Sequence, residues 1–223
     1  MSMRRKRVGD GMGETTKIRF KAERACFTDP VFKVDRFSYP FPTPSAAAGM
    51  LKAIYWHRGC EYVIDRIYIC KPVDKFYNQM TNEKKTKLSL DKVMNGEEVY
   101  YDSNEGDRTL RNTCYLIDVE YIIEFHVVTD PGKMNKGDSK GKFTEMIRRR
   151  AEQEACYTMP YMGLSNCICE SFSLVKDNEK IETDPWDIDM GKMFHSFDYE
   201  SSGKPVPRNF IAYVKNGVVE VSR

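Results

Sequence analysis

The chain has 223 residues, 41% of them hydrophobic and 12% aromatic, and a formal net charge of +2. That much apolar side chain supports one large domain, or a domain with a small second layer, and excludes global disorder; the near balance of charge excludes a polycation, so any nucleic-acid surface must come from uneven charge distribution. The seven cysteines are odd in number and irregularly spaced, no apolar segment follows Arg4-Arg5-Lys6-Arg7, and no apolar run is long enough to span a bilayer, so the sequence reads as a cytoplasmic protein with free thiols and no membrane partner.

Residues 1–15 hold basic residues, three glycines and no periodicity, and are expected to form a flexible extension. Order should begin near Thr16, where Lys17 to Arg24 alternates as a half-buried strand does. Phe27-Thr28-Asp29-Pro30 reads as a turn, and an extended piece follows around Val31 to Tyr39. Thr43 then offers a cap and Pro44 a first helical residue for a helix running to Trp56. Ala47, Met50, Leu51 and Ile54 form its apolar stripe, with Tyr55 and Trp56 at the edge and Arg58-Gly59 as the stop.

Glu61 to Cys70 reads as a strand. The polar stretch 72–111 is expected to be a long hairpin or insertion outside the core. Thr113 to Val128 is the clearest strand: Val119, Tyr121, Ile123, Phe125 and Val127 share one face, Glu120, Ile122, Glu124 and His126 the other. A glycine- and lysine-rich loop follows, and a second helix is expected from near Phe143 to about Ala155, with Phe143, Met146, Ile147 and Ala151 inward. A further strand between Ala155 and Ser173 would complete a βαββαβ, ferredoxin-like unit. Short strand-like pieces at Phe210–Val214 and Val218–Val221 suggest a small antiparallel C-terminal sheet. The division expected is therefore an extension over 1–15, an α+β ferredoxin-like domain over 16–165, and a C-terminal β-sheet over 166–223.

Charge is concentrated in one place. From Gly132 to Arg150 there are seven Lys/Arg and two Asp/Glu. The glycines let backbone amides approach phosphates, and Lys133, Lys136 and Lys140 neutralise them. Arg148 and Arg149 add guanidinium forks that suit phosphate oxygens. Each feature also fits an ordinary solvated surface. Tyr55 and Trp56 either pack at a helix edge or stack on unpaired bases. His57, His126 and His195 are the natural acid–base candidates, and none lies in the basic loop. Cys167-x-Cys169 lacks the second pair of ligands that a zinc site needs, so no metal site is expected.

In order and spacing, Phe27-Thr-Asp-Pro30, Ser38-Tyr39, Pro42-Thr-Pro-Ser-Ala46, Ala53-Ile-Tyr-Trp56, Val63-Ile-Asp-Arg-Ile67, Gly141-Lys142, Pro160-Tyr-Met-Gly163, Met193 to Tyr199 and Val214 to Val219 make a pattern. It resembles the CRISPR-associated RAMP-superfamily proteins of the subtype I-C (Dvulg) system, a branch of the fifth Cas family, from about residue 17 to 223. The resemblance implies an RRM-like, RAMP-type ferredoxin domain. It implies an endoribonuclease that binds the repeat hairpin of precursor CRISPR RNA and cuts it without metal or other cofactor. The product's 5′ handle would be kept, with the protein a subunit of the interference complex beside its backbone and large subunits. The resemblance further implies Tyr55 and Lys142 as catalytic residues, and the charge and aromatic pattern places Lys133, Lys136, Lys140, Arg148, Arg149 and Trp56 on the RNA. The position of the family's catalytic histidine holds Phe143 in this chain.

Overall fold

The computed structural model describes residues 15–29, 31–32, 34–84, 90–97, 108–199 and 205–221. The expected extension over 1–15 lies outside these residues except for Thr15, as does part of the 72–111 insertion. In chain order the elements are β1 (Thr16–Ala25), β2 (Phe27–Thr28), β3 (Ser38–Tyr39), α1 (Pro44–Ile54), β4 (Cys60–Ile69) and β5 (Phe76–Lys84). There follow α2 (Leu90–Met94), β6 (Arg108–Thr129), α3 (Lys140–Glu152), β7 (Ser171–Leu174), β8 (Ile188–Tyr199), β9 (Pro205–Lys215) and β10 (Val218–Glu220).

The strands form an antiparallel sheet in the order β7-β1-β6-β4-β10-β9-β8, with β5 also paired to β6. Alternation explains the central strands. Ile18, Phe20 and Ala22 of β1 and Tyr121, Ile123 and Phe125 of β6 are buried. Helices α1 and α3 cover that face and contribute Ala47, Met50, Leu51, Ile54, Phe143, Ile147 and Ala151. The architecture is mixed α/β, dominated by the antiparallel sheet.

On the opposite face Glu120 and Glu124 are buried as well as Ile122. Carboxylates survive there only with partners. Glu120 accepts from Arg19 and faces Lys21 at 3.4 Å, while Glu124 accepts from the Tyr68 hydroxyl and faces Arg66 at 3.7 Å.

Local chemistry moves several element ends from where periodicity puts them. Helix α1 starts as expected, with the Thr43 hydroxyl accepting from Ala46 N at 3.2 Å. It stops at Ile54, not Trp56, because the chain beyond α3 takes its last carbonyls. Tyr157 N and Thr158 N donate to Ala53 O at 2.9 and 3.0 Å. Helix α3 begins at Lys140, three residues before Phe143, because Ser139 caps it through Lys142 N at 3.1 Å. The strand expected between Ala155 and Ser173 is confined to Ser171–Leu174. Ahead of it, an irregular segment buries Met162, Cys167 and Cys169.

Candidate active site

The site forms where the end of α1 meets the start of α3. Tyr55 caps α1 in an extended conformation (φ −143°, ψ 116°), which turns its ring from the helix axis toward α3. Its backbone is held from both sides: its N–H donates to Leu51 O at 3.0 Å, and its carbonyl accepts from the Tyr62 hydroxyl at 2.6 Å. The ring lies 6.4 Å from that of Phe143, and the Arg150 guanidinium sits 5.4 Å from its centroid. The residue is only 6% exposed. Burial raises the phenol's pKa above its ordinary value, and Lys142 and Arg150 oppose that rise. Among the described residues the Tyr55 hydroxyl has no hydrogen-bond partner, and it is not one of the fully sealed oxygens.

Lys142 lies in the first turn of α3 with its ammonium donating to Asp138 Oδ1 at 2.9 Å. That bond raises the Lys142 pKa and, as the largest cause, lowers that of Asp138. The Asp138 side chain is 3% exposed and uses its other oxygen twice. Oδ2 accepts from Asn135 N at 2.9 Å and faces His57 Nε2 at 3.7 Å. Asp138 is therefore the pivot between a lysine on α3 and a histidine beyond α1.

Gly59 makes this approach possible. Its φ of +83° turns the chain after His57, and a Cβ there would lie 3.1 Å from the Lys133 carbonyl carbon and 3.2 Å from Asp130 O. Asp130 N donates to Gly59 O at 2.9 Å across the same contact.

The other residues singled out from sequence divide in two. Lys140, Arg148 and Arg149 line one shallow groove of about 660 Å³ along the outer face of α3, together with Gly141, Thr144 and the carboxylates Glu145 and Glu152. Trp56 points outward, 61% exposed, next in the chain to Tyr55. Lys133 is engaged with Asp130 at 3.0 Å, and Lys136 is exposed in the loop ahead of α3. Sequence reasoning did not assign three members of the cluster to it: His57, Asp138 and Arg150. The only local signal was that His57 lies two residues past Tyr55.

Fold and site together define a mixed α/β protein in which a buried phenol meets a cluster of cationic side chains where two helices cover one sheet face. The chain belongs to the Cas5d family: a family model described as CRISPR-associated protein (Cas_Cas5) matches residues 15–221. It is 36% identical over 220 residues to the CRISPR pre-crRNA endoribonuclease Cas5d of Mannheimia succiniciproducens, covering 94% of this chain and 96% of that protein. A protein of the same description from Thermus thermophilus is 33% identical over 150 residues, covering 66% of this chain and 58% of the relative. A solved structure described as a CRISPR-associated protein has a TM-score of 0.67 at 22% identity, over 94% of this chain and 92% of that one, a likeness of fold. Among the described residues no helix is long and apolar enough to cross a membrane.

Proposed function

We propose that this protein is a metal-independent endoribonuclease of the cytoplasm that binds the CRISPR repeat hairpin and cleaves precursor CRISPR RNA. It then holds the 5′ handle as a subunit of the interference complex, beside the backbone and large subunits. The observation that carries this reading is the near full-length similarity to a pre-crRNA endoribonuclease. The approach of the Tyr55 ring, at the end of α1, to Phe143, the neighbour of Lys142 in the first turn of α3, supports it.

We read residues 16–165 as a ferredoxin-like, RAMP-type RNA-binding unit and 166–223 as an added C-terminal sheet. The order β7-β1-β6-β4, with two helices on one face, supports the first part, β7 completing the unit from just beyond its boundary. Strand β10, paired to β4, joins the added strands to the same sheet.

The chemistry assigned to the site is transesterification. The RNA 2′-hydroxyl attacks the adjacent phosphate and the 5′-oxygen leaves. Lys142, its ammonium half exposed, stabilises the charge that builds on the phosphate oxygens. Tyr55, whose burial keeps its proton, donates to the leaving oxygen. Lys133, Lys136, Lys140, Arg148 and Arg149 hold the backbone, and Trp56 stacks on an unpaired base.

A second reading, a 5′-handle-binding subunit that does not cut, is favoured by Phe143, which brings no proton-transfer group to the family's histidine position. Incubating the protein with a synthetic RNA of the repeat in EDTA separates the two. Cleavage that disappears on 2′-deoxy substitution at the cut site is the expected result. Tight binding without cleavage at protein excess selects the second reading. Wild-type rates in Tyr55→Phe or Lys142→Ala would remove those residues from the site.

A further inference from the structure

The cluster around Tyr55 is rich in groups that keep their protons. Tyr55 is raised by burial, Lys142 by its bond to Asp138, and Arg150 is a guanidinium. Asp138 is held ionised, with both oxygens already serving neighbours. An attack by a 2′-hydroxyl needs a group that takes up a proton near neutral pH, and imidazole is the side chain suited to that.

His57 stands in the cluster with its ring 4.8 Å from that of Phe143 and stacked 6.4 Å from that of Tyr55 at 23°. Its Nδ1 lies 2.8 Å from the Arg58 carbonyl oxygen. A carbonyl only accepts, so Nδ1 carries the hydrogen and Nε2 holds the lone pair. Nε2 is 3.7 Å from Asp138 Oδ2, too far for a hydrogen bond, so the ring is a neighbour of the Asp138–Lys142 pair without being tied into it. The side chain is 27% exposed, so a ligand can reach it. Phe143, fully buried, supplies the apolar wall against which this ring is set.

We infer that His57 is the general base of the cleavage, in the part of the site where Phe143 brings no proton acceptor. The assignment rests on the endoribonuclease reading above. His57 Nε2 takes the proton of the 2′-hydroxyl as the 2′-oxygen bonds to phosphorus. The P–O5′ bond breaks, its electron pair leaves on the 5′-oxygen, and that oxygen takes a proton from the Tyr55 hydroxyl. The products are a 2′,3′-cyclic phosphate and a 5′-hydroxyl end. His57 then returns its proton to water, and Tyr55 regains one.

The test is single-turnover cleavage of the repeat RNA in EDTA by the full chain, His57→Ala and His57→Gln, with RNA affinity measured alongside. The rate should fall about 10²- to 10⁴-fold in both variants, with affinity nearly unchanged. Added imidazole should restore part of the rate in His57→Ala. The acid limb of the pH–rate profile should vanish, although Asp138, Lys142 and Tyr55 still face the site. Wild-type cleavage together with unimpaired variants overturns the His57 assignment alone. So does a rate loss matched by an equal affinity loss and not rescued by imidazole. A wild-type protein that binds the repeat and never cuts it overturns the endoribonuclease reading, and the base with it.

Discussion

Arg150 lies over the Tyr55 ring at 5.4 Å while its Nη1 donates to Ile54 O at 3.0 Å. One side chain thus fixes both the helix end that presents the phenol and the phenol's own plane. Replacing Arg150 by Ala should cost about 1–3 kcal/mol, from a charged hydrogen bond and a cation–π contact. Cleavage should fall further than stability explains, because the Tyr55 ring loses its seat. Arg150→Lys should recover little, since an ammonium cannot reproduce the planar contact. Thermal melts set beside single-turnover rates check this.

Asp138 holds Lys142 and faces His57. Asp138→Asn keeps the volume and removes the charge. Cleavage should drop about 10-fold or more, on the order of a mispositioned catalytic group. RNA affinity should rise or stay constant, since an acidic group leaves a cationic site. Weaker RNA binding by that variant would contradict the arrangement.

The α3 groove calls for a salt experiment. Neutralising Lys140, Arg148 or Arg149 singly to Gln should lower the slope of log affinity against log salt by about 0.7–0.9 for each phosphate released. Trp56→Ala should behave differently, weakening binding by about 1–3 kcal/mol with the salt slope unchanged. Its 61% exposure means the fold should tolerate the change.

Gly163 sits at φ +89°, and a Cβ there would lie 2.0 Å from Cys26 O. Neither a left-handed backbone nor that carbonyl leaves room for a methyl group. Gly163→Ala should destabilise the protein by on the order of 3 kcal/mol or more, read as a lower denaturant midpoint.

His195 is pushed below its ordinary pKa by burial and then by Arg208, and its ring stands edge-on to Phe210 at 5.8 Å. The unfolded chain accepts that proton at a higher pH than the folded one. Stability is therefore undiminished above the ordinary histidine range near 6.5 and declines as pH falls through it toward the lower folded value. His195→Phe should flatten that acid-side decline in melts between about pH 7.5 and about pH 5.5.

What was readable in the sequence followed from local pattern. The alternation of Val119 to Val127 located β6, and Thr43-Pro44 located the start of α1. Helix α3 was harder, because its apolar stripe begins at Phe143 while Ser139, in a stretch of lysine and glycine, sets the cap. Family pattern singles out Tyr55, whereas periodicity carries its helix on to Trp56. The competing signal, capture of Ala53 O by Tyr157 and Thr158, comes from about a hundred residues away. A similar separation in sequence hides His57 from Asp138, and only the folded β4–β6 region closes the gap. Pairing of β10 with β4 is likewise non-local and leaves no mark on either segment.

Strand β6 runs 22 residues and pairs with β5, β1 and β4 in turn. At the strand rise of about 3.3 Å per residue it is a spar of roughly 70 Å, bent where Asp118 takes a φ of 55°. In its β5-paired arm the neighbours Phe76 and Tyr77, on opposite faces, are both largely exposed, as are Met80 and Leu110, so no buried face pins the register there. Residues added or removed in matched numbers on both strands would therefore lengthen or shorten the spar by about 3.3 Å each while the part of β6 held by β1 and β4 stays seated.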